Sequence, residues 1–246
     1  MNKQIFPNYL LPLVLSTNEN IQRCFPRRNL ANILIRKLYK RHGIHIKQLL
    51  NYDLIALVFN QEYFIKNYTK NLLLLTLIQE AGYDLKGDLF DVGCGATPGG
   101  IAFSHYLKLL GQASPNIMLL DKSKSQLKLA KRFCSQNNVK IKKIFRRPFS
   151  FTQKQNDSLV LFSYFICEQD HSFITKLLYN REIFKNGFIV LDYQKTIEKI
   201  EHVSHYYDNC SIQHFYYRFV LPLSLRNILR EKELLVSGCY YKPADN

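Results

Sequence analysis

The chain has 246 residues, with 34 Lys and Arg against 19 Asp and Glu, and a formal net charge of +15. That length suits one large domain, or a core domain with a helical extension, and is ample for a sizeable core. Hydrophobic residues at 47% and charged residues at 22% exclude wholesale disorder, and the basic balance points to a polyanionic partner, nucleic acid before an anionic membrane surface.

Read in chain order, the first segment, Met1 to Ser16, holds an apolar stretch from Tyr9 to Leu15. Pro7 and Pro12 break it, no small-residue cleavage site follows, and it is too short to span a bilayer. From Arg27 to about Tyr83 the periodicity is helical: Leu30, Ile33, Leu34 and Leu38 recur at three- and four-residue spacing among basic residues. Gly43 and Gly82 read as helix stops, with further helices over about 46–63 and 67–81. Residues 1–86 are therefore expected to form a basic helical module. From Asp88 the texture changes. Short apolar strands at 89–92, 117–120, 139–144, 159–165 and 188–191 alternate with helices, which signals a parallel sheet covered on both faces. Two long aromatic and β-branched strands, 212–221 and 234–241, close it, at least one of them antiparallel. The expected fold class is α/β, a Rossmann-like, mostly parallel seven-stranded sheet over residues 87–246.

The six cysteines form no CxxC pair and several sit in apolar runs, as buried thiols of a reducing compartment do. The expected location is intracellular, in the cytoplasm or a mitochondrial matrix. His202, His205, Asp208, Cys210 and His214 are metal-ligand types, but their spacing fits no zinc pattern, so no metal is expected.

The chemistry is concentrated in Leu89-Phe90-Asp91-Val92-Gly93-Cys94-Gly95-Ala96-Thr97-Pro98-Gly99-Gly100, a glycine turn between a strand and a helix. Thirty residues beyond Asp91, the second strand ends in Asp121, placed to accept hydrogen bonds from ribose hydroxyls. A dinucleotide site needs G-x-G-x-x-G, yet the third glycine, Gly99, falls one residue late. A strand-terminal acid also suits an ammonium better than a pyrophosphate. The segment resembles motif I of the class I S-adenosylmethionine-dependent methyltransferases, Asp/Glu-x-Gly-x-Gly-x-Gly, with Asp91, Gly93 and Gly95 matching and Thr97 in place of the last glycine. The resemblance covers about Asp88 to the C-terminus. It implies S-adenosylmethionine as cofactor, with Asp91, Gly93, Cys94, Gly95 and Thr97 around its methionine part and Asp121, with Lys122 beside it, at the ribose.

The third strand ends in Phe145-Arg146-Arg147-Pro148-Phe149, without the acid that many relatives offer to adenine; Phe149 or Phe151 is then the candidate to stack on the base. On the fourth strand, Ser163 and Tyr164 occupy the place of the Asn/Asp-Pro-Pro-Tyr/Phe motif of amino-base methyltransferases, which is absent. The segment is similar to one in the methyltransferase-like proteins of mitochondrial small ribosomal subunit assembly. Ser163 is assigned to the cofactor side, and Tyr164 and Glu168 are the candidates for a general base. Between Asp121 and Lys154 the only acid is Asp121. Lys142, Lys143, Arg146 and Arg147 there, with Arg27, Arg28, Lys37, Lys40 and Arg41 in the helical module, form a candidate phosphate-binding surface. The expected function is methylation of RNA, ribosomal RNA first. A protein or small-molecule methyltransferase, or a catalytically silent assembly factor, is the alternative.

Overall fold

A computed structural model describes residues 2–25, 53–151, 158–170, 172–207 and 211–243. Their elements are β1 (Asn2–Ile5), α1 (Leu11–Gln22), α2 (Asp53–Glu80), β2 (Leu89–Val92), α3 (Pro98–Leu109), β3 (Ile117–Leu120) and α4 (Lys124–Gln136). There follow β4 (Ile141–Phe145), β5 (Leu159–Ser163), α5 (Ser172–Tyr179), β6 (Phe188–Leu191), α6 (Gln194–Ser204), β7 (Ile212–Val220), α7 (Leu223–Leu229) and β8 (Glu233–Tyr241).

Among the described residues one eight-stranded sheet runs in the order β1-β7-β8-β6-β5-β2-β3-β4. β8 pairs antiparallel with β6 and β7, and the other pairings are parallel. The alternation of strand residues splits the core into two layers. Leu89, Ile117, Leu119, Leu159, Leu161 and Ile189 face α1, α2, α3 and α4, while Phe90, Val92, Met118, Leu120, Val160 and Phe162 face α5 and α6. The second layer is rich in phenylalanine: Phe162 packs edge-on against Phe149, Phe173, Phe184 and Phe188. Such contacts contribute about 0.5–1.5 kcal/mol each beyond area burial.

The seven expected strands are present, and an eighth joins them. β1 lies parallel to β7, with Asn2 opposite Tyr217 and Ile5 opposite Val220. Phe6, next in the chain, is buried, and its N–H donates to the Val220 carbonyl. The described part of 1–86 is therefore not a separate helical module: β1 joins the sheet as its exposed edge strand, and Phe6, α1 and α2 share the first core layer with the sheet. The two helices expected over 46–63 and 67–81 are one where described, α2. No glycine or proline occurs between Asp53 and Ala81 to break it. Pro12 opens α1, a position where its missing N–H costs nothing. Among the described residues no helix is long and apolar enough to cross a membrane.

The chain runs from β2 outward through β3 to β4, then returns to place β5 on the other side of β2. At such a reversal the connections diverge from the strand tips and leave a crevice, the usual ligand position in open α/β sheets.

Candidate functional site

At the carboxyl end of β2 the side chain of Asp91 points into the first core layer and is 1% exposed. Its Oδ2 accepts from the Thr97 hydroxyl at 2.7 Å and from the Gly100 N–H at 3.1 Å, which ties the strand to the first turn of α3. Its Oδ1 is buried and has no hydrogen-bond partner among the described residues. Burial raises the Asp91 carboxyl to about 7; the Thr97 and Gly100 bonds oppose this and the Asp121 charge adds to it. Gly93 and Gly95 turn the chain with φ of +64° and +53°, the left-handed region that a side chain disfavours. Thr97 accepts the same conformation, φ +59°, and so aims its hydroxyl at Asp91. Strained residues of this kind cluster at functional sites.

Asp121 follows β3. Its Oδ2 accepts from Gly95 N–H at 2.8 Å and its Oδ1 from Ser123 N–H at 2.8 Å, so one carboxylate joins the glycine turn to the start of α4. Each oxygen keeps a lone pair, and the group is only partly buried. Burial raises its pKa, with the two backbone bonds opposing. The field of Glu168, exposed after β5, reaches both Asp121 and Asp192. Asp192 is 2% exposed at the tip of β6 and accepts from the N–H groups of Cys167 and Tyr193. Four carboxylates thus border the strand tips in a strongly basic chain.

The remaining expected residues are placed as follows. The Cys94 thiol is buried, with its pKa raised well above the ordinary range by burial, so only its backbone lines the turn. Lys122 is exposed beside Asp121. Phe149 is partly buried and packs against Phe151, Phe162, Phe165 and Phe173. Ser163 Oγ accepts from Asn71 Nδ2 at 3.1 Å. Tyr164, φ +55°, accepts from Lys70 Nζ at 3.0 Å. Tyr164 and Glu168 therefore both lie at the tip of β5, but only Tyr164 is enclosed. Arg27, Arg28, Lys37, Lys40 and Arg41 lie outside the described residues. Lys142, Lys143, Arg146 and Arg147 are exposed on or beside the edge strand β4. Lys142 pairs with Asp88 at 3.1 Å, and Lys143 and Arg147 lie over the Phe145 ring. Of the histidine-rich group, Asp208 and Cys210 lie outside the described residues, and among those described no three side chains are grouped to hold a metal ion.

Several residues at the site were not anticipated. α2 sends Asn60 to Gln126 Oε1 at 2.8 Å, next to Gly95, and sends Lys70 and Asn71 to the tip of β5. The ring of Phe165 lies against Gly93, where a Cβ would come within 2.2 Å of it. The signal in the sequence was Lys70-Asn71, the polar pair that ends the mixed stretch from Lys66 just before the apolar run Leu72 to Leu75.

No protein-family model and no curated protein sequence matches the chain. Its resemblances are structural. A proposed O-methyltransferase from Nostoc punctiforme superposes with a TM-score of 0.51 at 15% identity, over 76% of this chain and 60% of that one. The magnesium protoporphyrin IX methyltransferase of Synechocystis gives 0.49 at 11% identity, over 87% of this chain and 97% of that one. The ribosomal protein L11 methylase of Lactobacillus delbrueckii gives 0.45 at 14% identity, over 73% and 80%. Together with the strand order and the glycine turn at the β2 tip, the first of these identifies the architecture: the chain has the class I methyltransferase fold.

Proposed function

We propose that the crevice at the tips of β2, β3 and β5 holds S-adenosylmethionine and that the protein methylates RNA, with ribosomal RNA as its substrate. The observation that carries the cofactor reading is a pair of carboxylates on either side of one glycine turn. Of these, Asp91 keeps a buried oxygen with no partner among the described residues, and Asp121 stands ready at the neighbouring tip. The residues present fit such a group: Asp91 Oδ1 toward its ammonium, the Gly93–Gly95 turn along its amino-acid chain, and Asp121 toward its ribose. The bound group supplies a methyl on a sulfonium, a strong electrophile, so the protein's main tasks are orientation and charge balance. Asp121, Glu168 and Asp192, joined above about pH 7 by Asp91, give the crevice a negative field suited to a ligand with two cationic centres.

The RNA reading rests on charge. All ten Lys and Arg residues between Lys122 and Arg147 are exposed, on α4, on β4 and in the adjoining loops; no acid interrupts them in sequence, and from elsewhere in the chain Asp53 pairs with Lys128 and Asp88 with Lys142. Ordinary surfaces mix signs. A strip so rich in positive charge along the edge beside β3 can track a phosphate backbone toward the crevice. Such a substrate is met in the cytoplasm or the mitochondrial matrix. The test is tritium transfer from labelled S-adenosylmethionine to ribosomal RNA, alongside calorimetry with the cofactor. Transfer only to protein or small molecules overturns the RNA substrate. A protein that binds RNA but no cofactor is instead a silent assembly factor with this fold.

A further inference from the structure

Helix α2 brings a lysine, Lys70, to the tip of β5. Lys70 Nζ is 3.0 Å from Tyr164 Oη and 5.5 Å from the centre of the same ring. Among the described residues no carboxylate lies within ion-pair distance of it; Glu231, whose field reaches Lys70, is itself paired with Lys66. The hydrogen bond and ring contact with the phenol offset only part of the hydration this half-enclosed ammonium loses, so packing alone does not explain it. Tyr164 is held from two further sides: its backbone is in the left-handed region, and its ring meets the exposed Tyr193 edge-on at 5.4 Å between centres. Beside it, Asn71 Nδ2 donates to Ser163 Oγ, and a Cβ at Gly99 would come within 3.3 Å of Asn71 Oδ1. The pair is therefore continuous with the first turn of α3, which Asp91 anchors.

Building on the reading of this crevice as a methyl-transfer site, we propose that Tyr164 and Lys70 form a proton relay for a methyl acceptor that is itself a weak acid, a hydroxyl or an imide-type ring N–H. The acceptor's oxygen or nitrogen bonds to the methyl carbon as the carbon–sulfur bond breaks and leaves its electron pair on sulfur. The acceptor's proton passes to Tyr164 Oη while the phenol's own proton passes to Nζ of neutral Lys70, which becomes an ammonium. The positive charge that leaves the sulfonium reappears on the ammonium. The environment suits these roles. Burial, then Lys66, lowers the Lys70 ammonium to about 8, with Glu231 opposing. Burial and the fields of Asp192, Tyr193 and Cys167 hold the Tyr164 phenol well above its ordinary value, so it carries a proton before and after the step.

Two measurements test this. The first needs no substrate: the pH dependence of trace acetylation of Lys70, read peptide by peptide by mass spectrometry. A midpoint near 8 is expected, and reactivity indistinguishable from that of the bulk of the lysine peptides overturns the relay. The second compares Lys70→Met, Lys70→Arg and Tyr164→Phe with the parent, using transfer to transcribed ribosomal RNA and calorimetry with S-adenosylhomocysteine. Transfer should fall roughly a hundred- to ten-thousandfold in all three, with affinity for S-adenosylhomocysteine within about threefold of the parent. The parent's kcat/KM should rise tenfold per pH unit and level off near 8. Arginine keeps the charge but cannot give up its proton, so it restores a merely structural contact and not a relay. Full activity in Lys70→Arg overturns the proposal while leaving the site assignment intact. A parent that binds no S-adenosylhomocysteine overturns the site assignment.

Discussion

Asp91→Asn probes the most constrained atom of the crevice. The carboxyl is raised from an ordinary 3.8 to about 7, chiefly by burial. At 1.36 kcal/mol per pH unit, holding it ionised at pH 8 costs the ligand-free fold about 4 kcal/mol. The folded pKa is the higher one, so the folded state binds the proton more tightly. Stability from this group is greatest below about pH 4, falls as pH rises toward 7, and is level above. The amide keeps an oxygen for Thr97 and Gly100 and removes the charge, but buries an NH2 where Oδ1 has no partner, at about 1–3 kcal/mol. The net gain at pH 8 is about 2 kcal/mol, or roughly 4–8 °C in Tm for a chain of this size. At pH 5 the charge penalty falls below about 2 kcal/mol and the gain disappears. The same variant should bind S-adenosylhomocysteine more than about tenfold more weakly, because the proposed acceptor for its ammonium is gone. Thermal unfolding at pH 5 and pH 8, with calorimetry at pH 8, measures both effects. A variant less stable than the parent at pH 8, or one with undiminished affinity, refutes the reasoning.

Four further outcomes follow from the structure. Asp121→Ala removes the acceptor of the Gly95 and Ser123 N–H groups as well as the proposed ribose contact, and calorimetry should show roughly ten- to hundredfold weaker binding of S-adenosylhomocysteine. Gly93→Ala places a methyl 2.2 Å from the Phe165 ring at φ +64°, and should cost about 1–3 kcal/mol in urea unfolding; Phe165→Ala in the same chain relieves the clash but not the backbone strain. Phe6→Ala, at a site 1% exposed, should cost about 3–5 kcal/mol and shift a single cooperative transition, whereas two separated transitions would show that Phe6 and the edge strand before it do not fold with the core. Lys143→Glu with Arg146→Glu should lower RNA affinity and reduce the salt slope by about one for each phosphate no longer neutralised, with S-adenosylhomocysteine binding unchanged; an unaltered slope removes β4 from the RNA surface.

Local physics made much of the site legible in the chain itself. The run Leu89 to Val92 is apolar but for Asp91, Gly93 and Gly95 are the residues that tolerate positive φ, and Asp121 ends the next apolar strand. These features depend on neighbours a few positions apart, so pattern and turn chemistry were enough to place both carboxylates at adjacent strand tips. Other features arise from contacts that cross most of the chain. Asn-Lys-Gln-Ile carries no strand pattern, and it becomes β1 only because the free edge of β7 supplies partners for its backbone. α2 looked like part of a separate module because its apolar face shows only that it must be buried, not against what. Packed on the sheet, it delivers Asn60 beside Gly95 and Lys70 and Asn71 to Tyr164 and Ser163, across 66 to 94 positions of sequence. The sequence by itself determined the turn, its two acids and the layered α/β architecture. Only tertiary packing decided which helix walls the crevice and which lysine faces the phenol, because side-chain partners that far apart are chosen by the assembled core.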